Sequence, residues 1–152
     1  MAPHAKFIGL TRASSVAFTL DPDGDELSLL YSNLQVSWNN GSPDPKSMPA
    51  GSLTVVTTDE ALGRELKIDL RGYATPGAGG TIHVRCGGKS HAVHPADDYQ
   101  LTTFAALADE AHSTLIEFLL DLPKPTDGSA ALLTLDSADI WIMPETAEQP
   151  EE

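Results

Sequence analysis

The sequence predicts an all-β fold, an antiparallel β-sandwich or a closed β-barrel, and three observations carry that prediction. Several independent segments are apolar at every second residue, as in Leu66, Ile68 and Leu70 against Lys67, Asp69 and Arg71, which is the period of a strand with one buried face. These segments end at clusters of Gly, Pro, Asp and Asn, as at Asp21-Pro22-Asp23-Gly24-Asp25, where turn chemistry is favoured. The connections are mostly short, which makes antiparallel neighbours the expected pairing.

Val16, Phe18 and Leu20 share one side of a strand over 15–20, and apolar residues resume at Leu27, Leu29 and Tyr31 beyond the Asp-Gly turn, so the two segments form a hairpin. Over 27–38 the apolar set changes parity, from Leu27, Leu29 and Tyr31 to Leu34, Val36 and Trp38, and a bulge near Ser32-Asn33 would keep both halves facing the core. The Pro- and Gly-rich stretch from Asn39 to Gly51 reads as a loop. Strands follow at 52–58, 65–73, 80–86, 90–94 and 99–105; the alternation Ile82, Val84, Cys86 marks the third. Gly72 to Gly80 reads as a turn, so 65–73 and 80–86 are expected to pair. The segment 101–122 fits either regular structure, because its alanines favour helix; the all-β context selects a strand at 113–122, with one short helix possible near 104–111. In 130–143, Leu133 and Leu135 give way to Ile140 and Ile142, which places a second bend near Ser137-Ala138. The predicted core comprises Phe18, Leu29, Leu66, Ile68, Leu70, Ile82, Val84, Phe118, Leu133 and Ile140.

A chain of 152 residues forms one domain large enough to build its own core, assigned here to 1–144. The remainder, 145–152, is acidic, lacks large apolar side chains and is expected to be a disordered tail. Nine Lys and Arg against twenty-two Asp and Glu give a formal charge of −13, a field that repels phosphate backbones and argues against nucleic acid. No apolar run has the length of a membrane span, and the first residues lack a signal-peptide core. A single cysteine, Cys86, rules out an internal disulfide and fits either a cytoplasmic protein or one secreted after loss of a signal peptide. Oligomeric state is left open.

Residues that could carry chemistry form no recognised motif. Asp21, Asp23 and Asp25 alternate like calcium ligands, but Glu26 and Ser32 stand where an EF-hand needs Gly and Glu, so they read as a polar hairpin tip. His83, Cys86, His91 and His94 include zinc-ligand types, yet on extended strands His83 and Cys86 point to opposite faces, as do His91 and His94; no metal is predicted. Cys86 shares the apolar parity of Ile82 and Val84 and is expected to be packed. Carboxylate pairs such as Asp97-Asp98, Asp109-Glu110 and Asp136 with Asp139 follow from composition in so acidic a chain. The Gly72–Gly80 stretch lacks the Lys-Ser/Thr ending of a phosphate loop, and no cofactor is predicted.

Two surface expectations remain. If 65–73 and 80–86 form a hairpin, Lys67, Arg71, His83 and Arg85 share its outer face as a docking patch for an anionic partner. If the interior is hollow, Trp38, Tyr73, Phe104, Phe118 and Trp141 are the aromatics that would line it, and Trp38, Tyr73, Phe104 and Trp141 are the candidate ligand contacts.

The run from Ser15 to Tyr31, followed by Ile68-Asp-Leu-Arg-Gly-Tyr-Ala74 and Gly77, resembles a family of small secreted β-sandwich domains of unknown function found in actinobacteria and fungi. The resemblance spans about half the chain, and that family's cysteines are absent here. It implies a sandwich fold and a secreted location and carries no activity with it. The functional expectation is a non-catalytic β-sandwich that binds a small ligand, glycan or protein partner. The alternative is a small β-barrel enzyme of cyclase or isomerase type, acting on a hydrophobic substrate held inside the barrel.

Overall fold

The computed structural model describes residues 5–12, 17–31, 34–38, 47–123 and 130–144, with the side chains of Arg12 and of 47–52 excepted. Its strands are β1 (Phe7–Arg12), β2 (Ala17–Leu20), β3 (Glu26–Leu30), β4 (Gln35–Trp38), β5 (Ser47–Thr57), β6 (Glu65–Ala74), β7 (Thr81–Cys86), β8 (Lys89–Val93), β9 (Asp97–Ala106), β10 (Ser113–Asp121), β11 (Ala131–Thr134) and β12 (Ser137–Ile142). They form two antiparallel sheets, so the fold is a β-sandwich. The first runs β1-β5-β10-β7-β8. The second is centred on β6, which has β9 on one edge and β12 followed by β11 on the other; β3 and β4 flank β12 and β11, and β2 closes the margin beyond β3.

The parity changes have a backbone cause. Between the pairs Leu133↔Ala74 and Ser137↔Arg71, four steps along 133–137 match three along β6, so one extra residue is accommodated there. The ladder is carried across the break: the Asp136 N–H donates to Arg71 O at 2.8 Å, and the Tyr31 N–H donates to Asp136 O at 2.9 Å. As a result Leu133 and Leu135 on one side, and Ala138 and Ile140 on the other, are all buried. The bend predicted near Ser32-Asn33 lies outside the described residues, but Val36 and Trp38 are buried after Leu27 and Leu29, as the parity change requires.

The core lies between the sheets. Leu66, Ile68, Leu70, Leu29, Leu133 and Ile140 meet Ile82, Val84, Ile116, Phe118 and Leu120 from the opposite layer, each at most 1% exposed. Tyr31 contacts Phe118 edge-on, with ring centroids 6.4 Å apart.

Several expectations are corrected. Strands β6 and β7 do not form a hairpin: they lie in different sheets, and the segment between them crosses from one to the other. Residues 104–111 form no helix, because β9 continues to Ala106 in register with β6; the helical element among the described residues is a 3₁₀ turn at Asp59–Ala61. Phe18 is 43% exposed, since β2 is an edge strand where burial falls off. Ser47 to Gly51, expected as loop, belong to β5, with a ladder irregularity near Pro49, as suits a residue that cannot donate to the ladder. Strand β1, which lacks a long alternating pattern, had no counterpart in the predicted elements. The tail 145–152 lies outside the described residues. No helix among the described residues is long and apolar enough to cross a membrane.

Candidate functional site

The outer face of the second sheet gathers residues that the sequence scatters. Alternation turns Leu66, Ile68 and Leu70 inward, so Lys67, Asp69, Arg71 and Tyr73 point outward from β6. On β9 the outward set is Phe104, Thr102, Gln100 and Asp98, and on β12 it is Trp141, Asp139 and Ser137. Strand register aligns these side chains in rows: Trp141, Lys67 and Phe104; then Asp139, Asp69 and Thr102; then Ser137, Arg71 and Gln100; and last Tyr73 with Asp98. Six residues at strand rise place Tyr73 about 20 Å from the Trp141–Phe104 row.

Phe104 is 44% exposed, whereas Asp69 is only 8% exposed. The Asp69 carboxylate accepts from Gln100 Nε2 at 3.2 Å and, through its other oxygen, from the Thr102 hydroxyl. Both partners belong to β9, so the carboxylate is fixed toward that strand. Asp139 stands directly opposite Asp69 on β12, a like-charge juxtaposition that disfavours the sheet in isolation. The Lys67 ammonium lies 5.1 Å from the centroid of the Trp141 ring. The exposed Arg71 side chain makes no hydrogen bond or ion pair with any described residue.

Beneath this face, the backbone at Gly72 is held close. Tyr99 donates its hydroxyl to Thr134 O at 2.5 Å, and the Tyr73 N–H donates to Thr134 Oγ1 at 2.9 Å. Burial first, and then the charge of Asp136, pushes the Tyr99 phenol above its ordinary range. A Cβ on Gly72 would sit 2.4 Å from Thr134 O and 2.7 Å from the Tyr99 hydroxyl, so only glycine fits between Arg71 and Tyr73.

The predicted sites divide accordingly. Trp141, Phe104 and Tyr73 share the outer face. Trp38 does not join them: it is buried, and its Nε1–H donates to Leu122 O at 2.7 Å. Phe118 is core. A surface cleft of ≈ 480 Å³ is bounded by Lys6, Asp23, Asp25 and Arg64, and an apolar groove of ≈ 150 Å³ by Phe7, Phe18 and Leu20. None of the five aromatics expected around an interior cavity lines either hollow. The proposed cationic patch is split, because Lys67 and Arg71 belong to one sheet while His83 and Arg85 belong to the other. There, Arg85 faces Glu117 at 4.0 Å and His83 faces Asp121 at 3.8 Å. Asp69, Thr102 and Gln100 were missed because their convergence depends on β9 pairing with β6, which no local pattern states.

Among the described residues, Asp21, Asp23 and Asp25 form the group of potential metal ligands whose side-chain atoms lie together, within 4.8 Å of one another. The Asp23 N–H donates to Asp21 Oδ2 at 3.1 Å, and Gly24 takes a positive φ of 81° in the same turn; this is the geometry of a tight polar hairpin tip. Cys86 is buried, with its Sγ 3.3 Å from Ala106 O. Burial pushes its thiol up to about 11, which keeps it protonated and unreactive near neutrality.

No protein-family model matches the chain, and no curated protein matches it in sequence. Among solved structures, it is similar to TmCBM61 in complex with β-1,4-galactotriose, at 8% identity over 91% of each chain with a TM-score of 0.43. It is also similar to a family 35 carbohydrate-binding module from Clostridium thermocellum, at 10% identity over 86% of this chain and 100% of that one, TM-score 0.40. A third is the exo-β-1,3-galactanase of Phanerochaete chrysosporium, at 15% identity and TM-score 0.36 over 87% of this chain, which spans only 27% of that enzyme.

Proposed function

We propose that this chain is a non-catalytic β-sandwich that binds a glycan along the outer face of its second sheet. The observation that carries the reading is the exposed Phe104 and half-buried Trp141 flanking β6, next to a carboxylate that is 8% exposed and held by two side chains. Aromatic rings on an open sheet offer flat apolar surface to the C–H faces of sugars. Fixed carboxylate, amide and hydroxyl groups between them match sugar hydroxyls.

A protein interface would deplete charge at its centre, whereas Lys67, Asp69, Arg71 and Asp139 occupy the centre of this face. A small drug-like ligand would need a concave pocket that covers most of its surface, and the candidate aromatics line neither described hollow. The separation of about 20 Å between aromatic rows favours an oligosaccharide lying along β6. The barrel-enzyme alternative called for an apolar cavity lined by Trp38, Tyr73, Phe104, Phe118 or Trp141; Trp38 and Phe118 are instead packed into the core between two separate sheets, and the other three lie on an outer face.

The test is calorimetric titration with neutral and acidic oligosaccharides. At least one is expected to bind, and Trp141→Ala and Phe104→Ala should each weaken it about tenfold or more while melting temperature changes little. Absence of binding across both classes, or binding indifferent to both substitutions, would refute the assignment.

A further inference from the structure

We infer that the glycan bound on this face carries a carboxylate, a uronic acid, read by Arg71 with Lys67; this rests on the glycan-binding reading above. The chain has nine Lys and Arg against twenty-two Asp and Glu, so acidic partners for a cation are plentiful. Arg85 on the opposite face has one, Glu117. Among the described residues Arg71 has none, although it is exposed, and Asp69 lies two residues away on the same face of β6.

The reason is local. Asp69 is turned toward β9 by the Thr102 hydroxyl and the Gln100 amide, which commits the carboxylate two residues away on the same face of β6 to other partners. Lys67 likewise pairs with no carboxylate among the described residues and rests instead over Trp141. Two cations without a counter-ion among the described residues therefore stand four residues apart along β6, Lys67 within the Trp141–Phe104 row and Arg71 between that row and Tyr73. The guanidinium fork matches a planar carboxylate through two parallel N–H···O bonds, a geometry that a neutral hydroxyl does not fill.

The formal charge of −13 opposes a polyanion at long range, but that field is screened over about 8 Å at physiological ionic strength. Direct contact with Arg71 is screened less. The expected ligand is therefore an oligosaccharide whose uronate meets Arg71, with sugar faces on the aromatics.

The experiment measures binding of oligogalacturonate, oligoguluronate and glucuronic-acid-bearing xylo-oligosaccharide, each beside its methyl ester, together with neutral gluco-, manno-, xylo- and galacto-oligosaccharides. At least one acid should bind tenfold or more tighter than its ester. Arg71→Gln should weaken acid binding far more than ester binding and so bring the two within about twofold of each other, while Arg85→Gln on the other face changes neither. If neutral sugars or esters bind at least as tightly as every acid and Arg71→Gln has no effect, the uronate inference falls and the glycan reading stands. If no sugar of either class binds, the glycan reading itself falls, and the inference with it.

Discussion

The outer faces of the two sheets share one core and differ in how they treat charge. On the first sheet Arg85 lies across the ladder from Glu117, and His83 lies within 3.8 Å of Asp121, so charged side chains find partners on neighbouring strands. On the second sheet Asp69 is buried opposite Asp139, Arg71 has no partner among the described residues, and Phe104 is 44% exposed. Folding alone rewards the first arrangement. The second leaves like charges opposed and a cation without a described partner, costs that a ligand bound across the face would offset; apolar exposure does not separate the faces, since Leu115 of β10 is 47% exposed on the first. The second face is thus the less satisfied in isolation, in keeping with the glycan site proposed there.

The largest expected effect tests how the second face is supported. Gly72→Ala places a Cβ against Thr134 O and the Tyr99 hydroxyl, and backbone on one side leaves little room to yield. Overpacking of this kind costs about 1–3 kcal/mol or more, and the shift would fall on Arg71 and Tyr73 directly. Denaturant unfolding should report the lost stability, and glycan titration a parallel loss of affinity. A variant as stable as the parent would mean that the Tyr99–Thr134 contact does not set the local backbone.

How much of this was legible in the sequence depended on whether the information was local. Leu66, Ile68, Leu70, Ile82 and Val84 were identified as core from alternation alone, and all are fully buried, because side-chain period is a property of one strand. The bulge ahead of Ser137 was also readable, since a parity change records it in a single segment. Which strands pair is non-local information. Short sequence separation suggested that β6 and β7 would pair, yet β6 takes β9 and β12, and with that the cationic patch divides between the sheets. The same gap hid the site: Asp69, Thr102 and Gln100 are unremarkable until register brings them together. Phe104 and Trp141 were singled out as aromatics for an interior, and the structure places them outside. Ala105 and Ile142 take the buried positions beside them.

A smaller effect separates the two roles of Asp69. Asp69→Ala removes the acceptor shared by Gln100 and Thr102 and should cost about 1–3 kcal/mol, the usual range for losing hydrogen bonds to a charged group. Asp69→Asn keeps an acceptor and relieves the opposition to Asp139, which is worth about 0.2–1 kcal/mol, so its stability should stay close to that of the parent. Glycan affinity should fall in both. If the asparagine variant binds as well as the parent, the charge of Asp69 serves the fold alone.

The smallest effect belongs to the first sheet and checks that its face is inert. Arg85 and Glu117 are 4.0 Å apart, with side chains 64% and 40% exposed, and a pair so accessible to water and salt contributes little. A double-mutant cycle with Arg85→Ala and Glu117→Ala should give a coupling below about 1 kcal/mol that shrinks further as salt is added. Glycan binding should be the same in all four proteins. A large coupling would show that the first face is held by its charges, and a change in binding would show that the ligand reaches it; either result would dissolve the contrast between the faces. With both small, Arg71, which has no partner among the described residues, stands apart from Arg85 for a reason that stability does not supply.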